Sequence, residues 1–276
     1  TCRSRHHSAA EVSITRVPRQ TSLGAEVGII LPPKQTSFRC RSGHHFAVAA
    51  VGITDTLEKV PVGLIEGTTE NSAVVTDLLS RVQDRGFCLH CEKLLCVLDG
   101  SRALKKAVRS IFGERALIQR CWLHKLRNIQ SYIPKQNHTE VLVKMRKIMG
   151  LNKLKDAQKE LKALRSWLAG ISHDAVTSLD EAGADLLTLH SLGVSGELRK
   201  SLSSTNIIES LFSVVRTKLA NVKNWKARRG AQTLRWVASA IIQHKKKGMR
   251  RLRGVNQRHV LVEALRKKVD ENRLYA

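Results

Sequence analysis

The chain has 276 residues, of which 42% are hydrophobic, so it is long enough to bury one main core and a smaller helical appendage. Lys and Arg number 48 against 23 Asp and Glu, which gives a formal net charge of +25. Such a charge opposes folding and favours a polyanionic partner, with nucleic acid first, although a ribosomal or membrane-surface protein would carry the same charge.

No run of about eighteen apolar residues occurs, and the first residues lack the apolar core of a secretory signal. These features argue against membrane-spanning and secreted classes and predict a cytoplasmic protein. The six cysteines are therefore expected to be thiols rather than a disulfide framework. The first residue is Thr1 rather than Met, which suggests a processed product, a fragment or an interrupted reading frame.

The predicted elements begin near His44. Two apolar, partly β-branched runs, 44–54 and 59–65, predict paired strands. Between residues 70 and 85, apolar residues recur at spacings of three and four, which predicts an amphipathic helix ended by Gly86. Residues 1–42 show neither period and are predicted to be irregular.

A second group of elements follows. Residues 93–98 predict a short buried strand, Ser101 caps a predicted helix that continues to Ile111, and Ala116–Arg120 predicts another strand. The order strand, strand, helix, strand, helix, strand requires a mixed sheet covered by helices. The fold class is therefore α/β.

Beyond Trp122 the apolar spacing is helical throughout, and the stretch to about residue 203 is interpreted as an all-helical insertion. Two further helices, Asn206–Leu219 and residues 230–247, follow it. The predicted organisation is an irregular segment, a first part of the core, the insertion, a completion of the core, and a basic helical tail, at 1–42, 43–125, 126–203, 204–247 and 248–276.

Two carboxylates are candidates for chemistry. Asp99 follows a buried strand, so it lies at the carboxyl edge of the sheet, where active sites of such folds usually form. On spacing alone, however, Asp99–Gly100 is a common turn. Glu209 lies in a helix that Thr205 can cap, and periodicity alone makes it an ordinary surface residue.

Five motifs in this chain resemble the signatures of the Mutator-type bacterial insertion-sequence transposases, in that family's order and spacing. The resemblance extends over about residues 43–247, and the motifs are VGLIEGTTEN (62–71), VLDG (97–100), QRCWLHKLRN (119–128), TNIIES (205–210) and RWVASA (235–240).

The resemblance implies a ribonuclease H-like mixed sheet with helices on both faces and an all-helical insertion. It also implies a DNA transposase that cuts and joins DNA with two Asp and one Glu holding two divalent ions, Mg²⁺ or Mn²⁺. By this resemblance Asp99 is the second acid and Glu209 the third, and both are metal ligands. The implied partners are double-stranded DNA of the element's terminal repeats and target, and further copies of the chain in a homo-oligomer.

Cys121 and His124 match the Cys-x-x-His element that this family carries after its second Asp. Their implied role is to position DNA or the second acid. Together with Cys88 and Cys91 they could instead form a four-ligand zinc site. The family pattern lacks that second cysteine pair, which weighs against zinc.

Basic and amide side chains in the matching motifs are predicted to contact DNA, although any one of them could equally be a solvated surface group. Trp122, Trp225 and Trp236 are candidates for stacking on unpaired bases or for core positions. The predicted DNA contacts are Lys125, Arg127, Asn128, Arg216, Lys218, Lys223, Arg228 and Arg229.

The family's first Asp is expected near Ser37, on a strand. The stretch LPPKQTSFRCRSG contains no acid, and its two prolines disfavour a strand. Asp55, the nearest acid, lies in the turn between the first two predicted strands. Three interpretations therefore stay open: a transposase with impaired activity, a catalytically inactive DNA-binding remnant, and a general basic RNA-binding protein.

Overall fold

The computed structural model describes residues 26–31, 37–40, 43–67, 72–88, 91–220, 222 and 230–266. A mixed sheet occupies the first half of this part of the chain. Its strands are β1 (Glu26–Ile30), β2 (Ser37–Cys40), β3 (Gly43–Thr54), β4 (Lys59–Gly67), β5 (Leu94–Leu98) and β6 (Ala116–Arg120).

The long strand β3 organises the sheet. It pairs antiparallel with β1 and with β4, and its first residues pair antiparallel with β2. On the other side of β1, the strands β5 and β6 run parallel to it. The order across the sheet is therefore β4, β3, β1, β5, β6, and the predicted mixed α/β fold is confirmed.

Helices follow the strands in two groups. The first group is α1 (Ser72–Asp84) and α2 (Arg102–Phe112). The rest are α3 (Trp122–Gln130), α4 (His138–Gly150), α5 (Leu154–Ala169), α6 (His173–Ala182), α7 (Thr188–Ser191), α8 (Gly196–Leu202), α9 (Asn206–Leu219), α10 (Gly230–Lys246) and α11 (Arg258–Arg266). None of the helices in the described ranges has the length and hydropathy needed to cross a membrane.

Both faces of the sheet are buried, because alternate side chains of a strand point to opposite faces. On β3, Val51 and Ile53 belong to the core shared with α9 and α10, whereas Val48 and Ala50 belong to the core shared with α1 and α2. The helices from α3 to α6 build a third core of their own, which includes Trp122 and Leu164. The sheet thus supports helices on each face, and α3 begins a separate helical layer.

The chain after α10 returns to the sheet. The Leu252 backbone N–H donates to the Leu57 carbonyl at 3.0 Å, and Arg251 pairs with Glu58. Leu261 and Leu265 of α11 are buried in the core that α9 and α10 share with the sheet. Part of the predicted basic tail is therefore packed against the fold.

The prediction that residues 1–42 are irregular is wrong at two places, because β1 and β2 lie within this segment. β1 is only five residues long, which is too short for a period to be recognised. Its strand structure comes from pairing with β3 on one edge and β5 on the other, and Ile29 and Ile30 are fully buried between them. Pairing between strands that are distant in the chain is a tertiary effect, so the residues of β1 by themselves do not predict the strand.

Candidate active site

Three helices begin at one place on the carboxyl edge of the sheet. Asp99 follows β5 and leads into α2, Cys121 follows β6 and leads into α3, and Thr205 precedes α9. The Cys121 N–H donates to the Leu98 carbonyl at 2.7 Å, which joins the two strand ends. The Trp122 N–H donates to the Ser203 carbonyl at 2.9 Å, which brings in the start of α9. The N-terminal ends of helices carry partial positive charge, so this edge favours carboxylates and phosphate.

Asp99 is held close to the backbone that follows it. Its carboxylate oxygen Oδ1 accepts a hydrogen bond from the Ser101 N–H at 2.9 Å, and the residue is 7% exposed. Ser101 also caps α2, because its side chain accepts from the Leu104 N–H. The turn and the helix cap therefore hold the carboxylate at the edge of the sheet, as the sequence predicted.

Glu209 is held from its own helix. The hydroxyl of Thr205, which is fully buried, donates to Glu209 Oε1 at 2.9 Å. The backbone N–H of the same residue, Thr205, donates to Cys121 Sγ at 3.4 Å. Thr205 therefore joins the Glu209 carboxylate to the cysteine, a role that its sequence position as a helix cap does not reveal.

His124 lies between the two motifs. Its Nδ1 is 3.1 Å from Cys121 Sγ, and its Nε2 is 3.9 Å from Glu209 Oε1. The hydrogen bond to Cys121 raises the pKa of His124, burial opposes that rise, and the negative charges of Cys121, Glu209 and Asp99 add to it. Asp99 and Glu209, which are far apart in the sequence, thus act on the same imidazole.

Cys121 has the complementary shift. Burial raises the pKa of its thiol, but hydrogen bonds from His124 and Thr205 outweigh burial, and the pKa lies below its usual value. The thiol is only 1% exposed, so it is not accessible as a nucleophile. Cys121 and His124 instead form a polar pair beside Glu209, whereas their predicted role in positioning DNA or the second acid, Asp99, stays a prediction.

The two carboxylates are suitable ligands for a hard divalent ion such as Mg²⁺, which prefers carboxylate oxygen. Within the described ranges, no three His, Cys, Asp or Glu side chains are grouped so that they could hold a metal ion. The strand beside β5 is β1, and its carboxyl end at Leu31 contributes no acid. Ser37, where the first acid was expected, begins β2, which pairs only with β3.

The alternative zinc site is contradicted. Cys88 and Cys91 precede β5 and lie at its amino end, whereas Cys121 follows the carboxyl end of the parallel strand β6. The sulfurs of Cys88 and Cys91 are also paired as a disulfide, so the prediction that the cysteines are all thiols is wrong for these two. Cys96 and Cys121 are free, as expected.

Lys125 does not reach DNA, and its predicted phosphate contact is wrong. It is 1% exposed, and its ammonium donates to the Ser178 carbonyl at 2.6 Å and to Glu181 Oε2 at 2.8 Å. Glu181, on α6, also accepts from the guanidinium of Arg120, which is 3% exposed. One carboxylate therefore serves two buried cations, and the network ties α3 and β6 to the helical layer.

The other predicted DNA contacts have mixed outcomes. Arg127, Asn128 and Arg216 are exposed, while Lys218 is half-buried and donates to Gln243 Oε1 at 3.3 Å. Trp122 is a core residue whose indole N–H donates to the Leu186 carbonyl at 3.1 Å, so it cannot stack on a base. Trp236 is 43% exposed. Four predicted residues lie outside the described part of the chain: Lys223, Trp225, Arg228 and Arg229.

Gly100 provides a test of how Asp99 is held. Its φ is +118°, and a Cβ there would lie 2.8 Å from Arg120 Cζ, so the guanidinium lies directly over the glycine. We expect Gly100→Ala to lower the free energy of unfolding by about 2 kcal/mol through backbone strain and displacement of Arg120. We also expect it to weaken any activity that depends on Asp99. Urea unfolding measures the first effect.

Gly86 supplies the matched control for this substitution. Its φ is +101°, but nothing lies within 4 Å of a Cβ built there. Gly86→Ala therefore reports backbone strain alone, about 1 kcal/mol. Equal losses for the two variants would show that the contact between Arg120 and Gly100 is unimportant.

The chain resembles known proteins over most of the region that contains this site. The family described as "Transposase, Mutator family" matches residues 38–240. The transposase for insertion sequence element IST2 of Acidithiobacillus ferrooxidans is 29% identical over 179 residues, which cover 64% of this chain and 58% of the relative.

Two further relatives are similar at the same level. The transposase for insertion sequence element IS6120 of Mycolicibacterium smegmatis is 28% identical over 61% of this chain and 50% of the relative. The transposase for insertion sequence element IS256 in transposon Tn4001 of Staphylococcus aureus is 28% identical over 61% of this chain and 42% of the relative. The chain thus spans about half the length of the curated relatives it matches.

Proposed function

Because this chain belongs to the Mutator family of transposases, we propose that it catalyses metal-dependent cleavage and strand transfer at the ends of an insertion sequence. The observation that carries the proposal is that both carboxylates adjoin the start of α3: Glu209 Oε1 lies 3.9 Å from His124 Nε2, and the Cys121 N–H donates to the carbonyl of Leu98, the residue before Asp99. Acidic residues on a strand end and a helix are the chemistry that phosphodiester cleavage by two divalent ions requires.

The strand order supports a ribonuclease H-like fold. The first three core strands, β1, β3 and β4, are antiparallel neighbours, and β5 and β6 continue the sheet on the other side of β1 in parallel. This arrangement agrees with the fold that the motifs imply. Within it, the helical layer from α3 onwards corresponds to the proposed insertion, and α9 returns the chain to the core with Glu209.

In the proposed mechanism, Asp99 and Glu209 would hold Mg²⁺ or Mn²⁺, which supplies activation of water or of a 3′ hydroxyl and stabilises the leaving oxygen. The chain's own groups orient these ligands. The Ser101 N–H fixes Asp99, and the Thr205 hydroxyl fixes Glu209. The convergent helix ends attract the phosphate.

The proposed substrate is double-stranded DNA of the element's terminal repeats and of the target. A net charge of +25 on 276 residues supports a polyanionic partner. Two DNA ends must be brought together for strand transfer, so we propose that the protein acts as a homo-oligomer on DNA, in the cytoplasm of a bacterium at the nucleoid.

A second candidate function is DNA binding without catalysis. It is favoured by one observation, namely that the described residues contain no group of three or more His, Cys, Asp or Glu side chains that could hold a metal ion. Such a protein would occupy the element's ends without cutting them. Metal-dependent nicking of end-containing DNA distinguishes the two candidates, and a general RNA-binding protein would show no preference for those ends.

The missing first acid gives a quantitative prediction. We expect this chain to bind end-containing DNA but to cleave it about a thousandfold more slowly than an intact relative, since a lost ligand forfeits about 4 kcal/mol of transition-state stabilisation. Single-turnover cleavage of a labelled duplex in Mg²⁺ or Mn²⁺ measures the two rates. Comparable rates would mean that another group of this chain supplies the third ligand.

A further inference from the structure

Helix α3 has one buried side and one open side. Trp122, Lys125, Leu126 and Ile129 are buried against the helical layer. The side of α3 opposite these buried residues carries three exposed residues, which lie three, four and seven positions after His124. We call this side the outer face of α3, and it consists of His124, Arg127, Asn128 and Ser131.

The position of the outer face is fixed by what holds the inner side. Lys125 is anchored to Ser178 and Glu181 of α6, and the indole of Trp122 is hydrogen-bonded to Leu186. The helix therefore cannot turn about its axis without breaking buried polar contacts, which is costly. The outer face is held toward solvent by these contacts.

The outer face carries positive charge that no acidic residue of the same segment neutralises. No Asp or Glu occurs from Cys121 to Thr139. Within the described ranges, neither Arg127 nor the exposed Lys135 that follows the helix forms an ion pair. Elsewhere in the helical layer some exposed cations are paired, as Lys147 is with Glu160, whereas Lys159 and Lys162 of α5 form no ion pair within the described ranges, so only position relative to the candidate site distinguishes the cations of α3.

The outer face leads directly out of the candidate active site. His124, at its beginning, lies 3.9 Å from Glu209 Oε1. With a rise of about 1.5 Å per residue, the face extends about 10 Å from His124 to Ser131. This length is enough to contact more than one phosphate of a backbone strand. Tyr132, 50% exposed, lies at the far end.

We propose that the outer face of α3, continued by Lys135, is the surface along which the DNA backbone runs to the carboxylates. This inference rests on the proposed function, because it takes DNA as the partner of that same site. Arg127 and Lys135 contact phosphates, the exposed amide of Asn128 donates to a phosphate oxygen, and the ring of Tyr132 packs against a sugar or an unpaired base. Contacts of this kind position the strand without reading its sequence.

The test compares two double variants of the full chain. Arg127→Ala with Lys135→Ala removes two cations from the proposed path. Lys159→Ala with Lys162→Ala removes two exposed cations from α5, so the change in net charge is matched. Binding to a fluorescent end-containing duplex is measured by anisotropy in EDTA at several salt concentrations, and thermal unfolding confirms that both variants are folded.

We expect the α3 variant to bind at least about tenfold more weakly and to lose up to about 1.8 from the slope of log affinity against log salt, since each phosphate contact contributes about 0.9. The α5 variant is expected to bind almost as the unaltered chain does. Equal losses in the two variants, no loss in the α3 variant, or no DNA binding by the unaltered chain would overturn the proposal. Because EDTA prevents cleavage, the result stands apart from the proposed function: an unaltered chain that binds through α3 but never cleaves contradicts only the catalytic proposal.

Discussion

Replacing Asp99 with Asn is expected to lower the residual rate of metal-dependent DNA cleavage by about a thousandfold or more. The amide keeps the shape of the side chain and can still accept from the Ser101 N–H, but it loses the charge that a divalent ion requires. Glu209→Gln should have a similar effect, because its amide oxygen can still accept from the Thr205 hydroxyl. Nicking of a supercoiled plasmid that carries the element's ends, in Mn²⁺, provides the measurement.

Asp55 is a suitable control for these two substitutions. It lies in the turn between β3 and β4, where the sequence predicted a turn. Asp55→Asn should leave both cleavage and DNA binding unchanged. If Asp99→Asn keeps the rate of the unaltered chain, the metal-ligand assignment is wrong. If the unaltered chain nicks the plasmid no faster than a reaction without protein, the protein is a DNA-binding protein without catalysis.

Glu181→Ala is expected to lower the free energy of unfolding by about 2 kcal/mol, less than when one partner of a fully buried ion pair is removed, because the Glu181 side chain is itself 35% exposed. The substitution leaves Arg120 and Lys125, which are 3% and 1% exposed, without their carboxylate. Ser178 still accepts from Lys125, which limits the loss. Urea unfolding, with the slope checked for constancy, measures the change.

The neighbouring Asp180 supplies the control on the same helix. It pairs with Arg165 through three hydrogen bonds, but both side chains are about half exposed. Asp180→Ala should therefore change the unfolding midpoint far less than Glu181→Ala, because exposed ion pairs contribute little. Similar midpoints for the two variants would show that the buried network is not held by Glu181.

The stability that the same network contributes should depend on pH. Burial raises the pKa of Glu181, but hydrogen bonds and charges from Lys125 and Arg120 outweigh it, and the pKa lies below its ordinary value of 4.5. A depressed carboxyl pKa adds stability above the ordinary value and loses it as pH falls through the folded value. We therefore expect the difference in the free energy of unfolding between the unaltered chain and Glu181→Ala to become smaller below pH 4.5. A difference that stays constant would contradict this.

Lys125 and its partner Glu181 differ in how burial and attraction balance in their pKa values, and this difference shows how the pair affects the fold. Burial lowers the pKa of Lys125 more than the attraction of Glu181 raises it. Desolvation of the ammonium is thus not fully compensated, so the pair contributes little net stability while its disruption is costly. Its effect is to fix the orientation of α3, and with it the direction of the outer face and the place of His124.

The sequence by itself determined the elements whose stability is local. Alternating or continuous apolar runs predicted β3, β4, β5 and β6 within a few residues, and spacings of three and four predicted α1 and α9. Ser101 was recognised as a helix cap for the same reason, since capping involves residues three positions apart. The five family motifs identified the transposase family, which the match to residues 38–240 confirms.

Only the tertiary structure decided which of those residues are near one another and which face water. β1 has no recognisable period, and it is a strand because β3 and β5 pair with both of its edges. Lys125 and Arg127 are both basic residues of α3, yet one is buried against Glu181 and the other is exposed. Their roles differ because burial depends on the helix that packs from another part of the chain.

Some features of the candidate site could likewise be predicted from the sequence, and others are determined only by the tertiary structure. Asp99 and Glu209 could be named from the motifs, because each sits in a short recognisable run. The role of Thr205 between Glu209 and Cys121, and the position of His124 beside Glu209, depend on three helix starts meeting at one edge of the sheet. A hydrogen bond across 84 positions, such as that from Thr205 to Cys121, is set by packing, and no local pattern in the sequence encodes it.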